Sequence, residues 1–163
     1  MPTFTEENLK QVEEIRSRYP AEHSKSALLP VLHLAQKEWG WLSTETMDYV
    51  ADLLGLLPIE VYEVATFYTM YNLEPVGKHV FEVCQTGPCM VRGSDNIIDY
   101  IKNKLSIDIG ETTADGLFTL KTAECLGACG YAPMMLEGKH YQEHLTEQKI
   151  DQIIAEIRAK YSN

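Results

Sequence analysis

The chain has 163 residues, 45% of them apolar, and a formal charge of -10 at pH 7. That size allows a sizeable buried core, as one domain or as a small domain with a helical extension. The acidic balance, with no basic run and no Arg/aromatic interleaving, argues against nucleic acid as a partner. Charge or proline breaks every apolar stretch before the roughly 20 residues a spanning helix needs, so no direct membrane insertion is expected.

Residues 1–71 carry one helix signal after another. The first helix is predicted to start near Thr3 or Thr5, with Glu6 and Glu7 in its opening turn, and to end at Tyr19-Pro20. A second runs from about Ser26 to Trp39, with Ser26 as N-cap and Pro30 in the first turn, where its missing N–H costs no helical bond; Gly40 stops it. Ser43 or Thr44 opens a third that closes at Gly55, and Pro58 opens a fourth that continues from Ile59 to about Met70. Ile59, Tyr62, Val64, Ala65, Phe67 and Tyr68 cover so much of this last helix that it is predicted to be largely enclosed.

From His79 the pattern alternates: HVFEVC is a predicted strand that ends at Cys84. After a cysteine loop, Ser94 and Asp95 start a helix with Ile97, Ile101 and Leu105 on one face, and GLFTLKTAEC is a strand ending at Cys125. A second cysteine loop follows. PMMLEG and KHYQEHL form a predicted hairpin across Glu137-Gly138, and Thr146 caps a last helix with Ile150, Ile153, Ile154 and Ile157 inward. If the first two strands run parallel, joined by the helix between them, both cysteine loops leave the same sheet edge and can close one site. The fold class expected is α+β or α/β: an N-terminal helical bundle over residues 1–76, then a thioredoxin-like domain over residues 77–163.

The cysteines are the chemistry-bearing residues. They form two close pairs, Cys84 with Cys89 in CQTGPC and Cys125 with Cys129 in CLGAC. Thiolates bind metal, and two loops that each return a sulfur within five residues can wrap a small cationic centre from two sides. A two-iron, two-sulfide cluster fits best, because each iron can hold one pair. A structural zinc ion is the rival, since its ligand spacing allows both pairs. Disulfides are a third reading, opposed by an opening, MPTFTEEN, that has no basic-then-apolar leader and so points to an intracellular chain. Gly87, Pro88, Gly127, Gly130 and Pro133 make both loops turn-rich, and amides in such turns can donate to anionic sulfur, one of the levers on reduction potential.

The ordered set SALLPVLHLAQKEWGWLS, EVATFYTMY, CQTGPCMVRGSD, GETTADGLFTL, ECLGACGYAPMM and LTEQKIDQII resembles the small [2Fe-2S] subunit of the NADH-dehydrogenase module of respiratory complex I, over nearly the whole chain. No ligand position departs from that pattern. The resemblance implies Cys84, Cys89, Cys125 and Cys129 as ligands of one [2Fe-2S] cluster. It implies electron transfer beside a flavin, with FMN and NADH held only by a larger iron-sulfur partner subunit of NADH:quinone oxidoreductase, further subunits around it, and a cytoplasmic location in a peripheral arm. Two ferric ions, two sulfides and four thiolates sum to about -2, and one-electron reduction makes that about -3, so the protein must tolerate added negative charge. An equivalent subunit of an NAD-linked hydrogenase or formate dehydrogenase is the alternative assembly, and a zinc-binding module the alternative of another class. A thiol-disulfide oxidoreductase would want a C-x-x-C pair, which is absent.

Five histidines raise a Rieske-type centre, but four cysteines already complete a ligand set. His140 and His144 are expected to face solvent, and His33 to be a core or interface residue. Met90, Met134 and Met135 flank the cysteine loops as candidate shields, and Arg92 follows the first loop. Trp39, Trp41, Phe67, Tyr68 and Tyr71 are expected as core or subunit-interface anchors.

Overall fold

The computed structural model describes residues 2–161; the expected domain limits at residues 1 and 163 lie outside the described residues. Two compact units divide at Pro75 and Val76.

The first unit is helical: α1 (Glu6–Ser17), α2 (Leu28–Trp39), α3 (Thr44–Leu54) and α4 (Pro58–Phe67). Two of the expected caps are made by side chains, because an extended N-cap residue can turn its hydroxyl back onto the free amides of the first turn. Thr5 accepts from Asn8 N–H and Ser43 from Thr46 N–H, each at 3.2 Å. Gly40 and Gly55 end α2 and α3 in the left-handed conformation that glycine adopts without strain. The core joins Val12, Leu28, Val31, Leu32, Ala35, Leu42, Val50, Ala51 and Val61, all essentially inaccessible, while Phe4 stacks on Trp39 with centroids 4.8 Å apart.

Three expectations for this unit are corrected. The second helix begins at Leu28, not Ser26, because residues Ala21–Ala27 already wind as 3-10 turns, and Ala27 carries no extended N-cap geometry. The fourth helix stops at Phe67 rather than near Met70. Tyr68 is extended, and the segment beyond it is tied to α2 by Tyr71 Oη donating to Leu29 O at 2.9 Å and Asn72 N–H donating to Gln36 Oε1 at 2.6 Å, which draws the chain out of the helix. Nor is α4 largely enclosed within this chain: only Val61 and Ala65 are buried, whereas Ile59 is 59% and Phe67 76% exposed. Apolar residues all around a helix do not bury it when one side alone is packed.

The second unit contains β1 (His79–Cys84), α5 (Gly87–Val91), α6 (Ser94–Leu105), β2 (Phe118–Ala123), β3 (Met135–Glu137), β4 (His140–Gln142) and α7 (Glu147–Lys160). The sheet order is β2-β1-β3-β4. β1 and β2 are parallel, from His79 opposite Phe118 to Cys84 opposite Ala123, and the β3–β4 hairpin adds antiparallel to β1. Alternation sends Phe81, Val83, Phe118 and Leu120 to one face, where Ile97, Ile101 and Leu105 of α6 and Ile150, Ile154 and Ile157 of α7 cover them. Thr146 accepts from Lys149 N–H at 3.2 Å, the cap expected for the last helix. Gly77, just before β1, lies so close to β2 that a Cβ there would sit 2.8 Å from the Phe118 carbonyl carbon.

Candidate metal centre at the ends of two parallel strands

Because β1 and β2 are parallel neighbours in register, Cys84 at the end of one and Cys125, two residues past the end of the other, leave the sheet on the same side. The first loop contains the five-residue α5, which was not expected; it carries Cys89 inward. Cys84 and Cys89 are buried at 3% and 1% exposure, packed with Ala132 and Met134, and Leu126 and Ala128 of the second loop lie against them. Cys125 and Cys129 are exposed, and all four cysteines are free thiols.

The sulfurs sit among amide donors. Burial raises the Cys84 thiol, but the N–H groups of Thr86 and Leu126, together with the Thr86 hydroxyl and the Cys89 thiol, outweigh it and hold Cys84 below its ordinary value. Burial, then the hydrogen bond to Cys84 and its charge, push Cys89 up to about 11, against one N–H from Met134. Of the buried pair, Cys84 is thus the more readily ionised thiol. Cys89 also feels Cys129, which brings the second loop within electrostatic reach of the first. Gly127 N–H donates to Cys125 Sγ at 3.4 Å. The structure thus brings Cys84 and Cys89 into contact and Cys129 near them, while Cys125 stays on the outer loop; among the described residues no three His, Cys, Asp or Glu side chains gather closely enough to hold a single ion. A two-iron centre asks two sulfurs of each iron, so the chemistry of the donor set, thiols in two pairs with N–H groups aimed at three of them, fits such a centre.

The second loop is pinned from the hairpin. Tyr141 Oη donates to Leu126 O at 2.8 Å, and the N–H groups of His144 and Leu145 donate to Tyr131 O and Pro133 O, each at 2.8 Å. Tyr141 and Thr86 were not singled out by the sequence; a hydroxyl two residues after a loop cysteine was the available signal for Thr86, whereas only the folded hairpin reveals Tyr141. Of the flanking methionines, Met134 and Met135 are fully buried and Met90 is 51% exposed. His140, His144 and Arg92 are exposed. His33 is also exposed, tilted against the Tyr71 ring, and so is not a core residue: its position on α2 points away from the packed stripe.

A four-stranded sheet with two helices on one face and cysteine loops at its strand ends defines a thioredoxin-like protein adapted to sulfur chemistry. The chain belongs to the thioredoxin-like [2Fe-2S] ferredoxin family, whose model matches residues 12–158. It is 47% identical over 156 residues to the mitochondrial NADH dehydrogenase [ubiquinone] flavoprotein 2 of Dictyostelium discoideum, covering 95% of this chain and 63% of that protein's length. It is 46% identical over 157 residues to a subunit of the NADH-quinone oxidoreductase of Rickettsia conorii, covering 96% of this chain and 94% of the relative. In fold it matches an NAD+-reducing [NiFe]-hydrogenase in the air-oxidized state, with a TM-score of 0.72 at 22% identity, over 82% of this chain and 23% of that one.

Proposed function

We propose that this chain is the electron-transfer subunit of an NADH:quinone oxidoreductase, holding one [2Fe-2S] cluster on Cys84, Cys89, Cys125 and Cys129. The observation that carries the proposal is the placement of two amide-lined cysteine loops at adjacent parallel strand ends, in a chain of this family. When bound, such a cluster takes up and gives back one electron at a time. The chain's own part is to bind and insulate: Cys84 and Cys89 would hold the centre from the buried side, Cys125 and Cys129 from the exposed side, and Met134, packed against the inner pair, would keep water from it. The N–H groups of Thr86, Leu126, Met134 and Gly127 offset negative charge on the sulfurs.

In this reading NADH and FMN belong to a larger partner subunit, with the helical region 1–76 serving to dock it and the region 77–163 carrying electrons. The relatives at 46% and 47% identity favour this assembly over a hydrogenase, for which the likeness is one of fold. No helix among the described residues is long and apolar enough to cross a membrane, and we place the chain on the cytoplasmic side, in a peripheral arm.

Anaerobically purified protein should contain about two irons and two sulfides per chain and give an EPR signal on reduction. Serine at any of the four cysteines should weaken or shift that signal, and serine at His140 should not. A colourless chain with one zinc, or four cysteine variants with unaltered spectra, would defeat the assignment.

A further inference from the structure

We infer that Thr86 is a positioning residue for the redox centre: through its hydroxyl bond to Cys84 it raises the reduction potential of the bound cluster. This rests on the ligand assignment proposed above. Thr86 is the N-cap residue of α5, with the extended backbone from which a threonine ordinarily turns its hydroxyl onto the first-turn amides. Here it makes no such bond. The Cys89 N–H goes to the Thr86 carbonyl at 2.9 Å, and Thr86 Oγ1 lies 3.7 Å from Cys84 Sγ, within reach of a hydrogen bond to sulfur. A cysteine bound to iron is a thiolate with no proton to give, so the hydroxyl must be the donor.

Cys84 is 3% exposed, so little water competes for this sulfur. Its other neighbours are the N–H groups of Thr86 and Leu126, the Cys89 thiol and one carbonyl, Glu124 O at 3.9 Å, which a donor beside it helps to offset. Reduction adds one negative charge to the centre. A donor aimed at a ligand sulfur stabilises the reduced state more than the oxidised one, and the effect is larger where the dielectric is low.

The test is a redox titration of the loaded protein, followed by EPR and visible absorption, in wild type, Thr86→Val and Thr86→Ser. Valine keeps the backbone N–H and the shape and removes only the hydroxyl; serine keeps the hydroxyl. The expected result is a negative shift of the midpoint in T86V, with altered charge-transfer bands, and a midpoint in T86S that stays with wild type. Loss of iron from T86V alone supports the same role, because the hydroxyl then proves necessary to hold Cys84. A fully loaded T86V with an unmoved midpoint overturns the inference, as does an equal shift or equal iron loss in both variants. A wild-type chain that binds no iron sinks the ligand assignment itself, and this inference with it.

Discussion

Replacing Gly77 by alanine should part the two strands that present the cysteines. A Cβ at this position would meet three backbone atoms of β2 and the residue before it: the Phe118 carbonyl carbon at 2.8 Å, and the Leu117 carbonyl carbon and Phe118 nitrogen at 2.9 Å. None is the end of a flexible side chain, so no rotamer change relieves the clash, and the strands must separate by roughly half an ångström to reach ordinary contact. Gly77 N–H donates to Thr119 Oγ1 at 2.6 Å and Lys78 N–H to Gly116 O at 3.2 Å, and both bonds lie where the strain falls. Overpacking costs about 1–3 kcal/mol and a weakened buried hydrogen bond about 1 kcal/mol, which gives about 2–4 kcal/mol in all. With a urea slope of about 1.5 kcal/mol per molar, the unfolding midpoint should fall by about 1.3–2.7 M. Gly130→Ala is the control, since a Cβ there meets nothing within 4 Å, and it should stay within about 0.5 kcal/mol of wild type. Anaerobic urea titrations followed by circular dichroism read both. A G77A midpoint within about 0.3 M of wild type would show that the close approach carries no cost, and the reasoning would be wrong.

Tyr141→Phe removes the 2.8 Å bond to Leu126 O, worth about 1 kcal/mol, so a chelator should bleach the loaded protein about fivefold faster; an unchanged rate would show that the hydroxyl does not hold the second loop. Burial raises the Glu82 carboxyl, with Lys121 opposing. Its folded value therefore exceeds the unfolded one: the stability it contributes is full below the unfolded value of 4.5 and is lost as pH rises through the folded value. Glu82→Gln should accordingly gain stability relative to wild type between pH 5 and pH 8, and an equal difference at the two pH values in urea titrations would refute the shift. Phe67→Ala should leave the urea midpoint nearly unchanged, within about 0.5 kcal/mol, because Phe67 is 76% exposed; a loss above about 1 kcal/mol would show it to be enclosed.

The elements that sequence reveals well here are those fixed by local chemistry. Thr5, Ser43 and Thr146 cap their helices through hydroxyls, Gly40 and Gly55 end theirs, and alternation in HVFEVC marks a half-buried strand; each is decided within a few residues. Ala21–Ala27 lacks any periodic apolar face, and so its 3-10 turns are visible only in the fold. The five residues of α5 are too few for a helical period, although Pro88 after Gly87 was a start signal. The exposure of Ile59 and Phe67 depends on what packs against α4, which composition does not state. At the site, the cysteine pairs and their parallel strands follow from spacing and connection rules, but which amides face which sulfur does not. Leu126 N–H reaches Cys84 only because the second loop folds back over the first, a long-range event.

The unequal depth of the four cysteines bears on assembly. Two thiols are sealed against the sheet and two stand open on the surface loop, so the donor set forms a mouth with a floor rather than a closed cage. Iron and sulfide would have an approach from the solvent side, past Cys125 and Cys129. Oxidants would reach a bound centre first from that same side, at Cys125 and Cys129, whereas the second loop stays tied to the hairpin through Tyr141 Oη and Leu126 O.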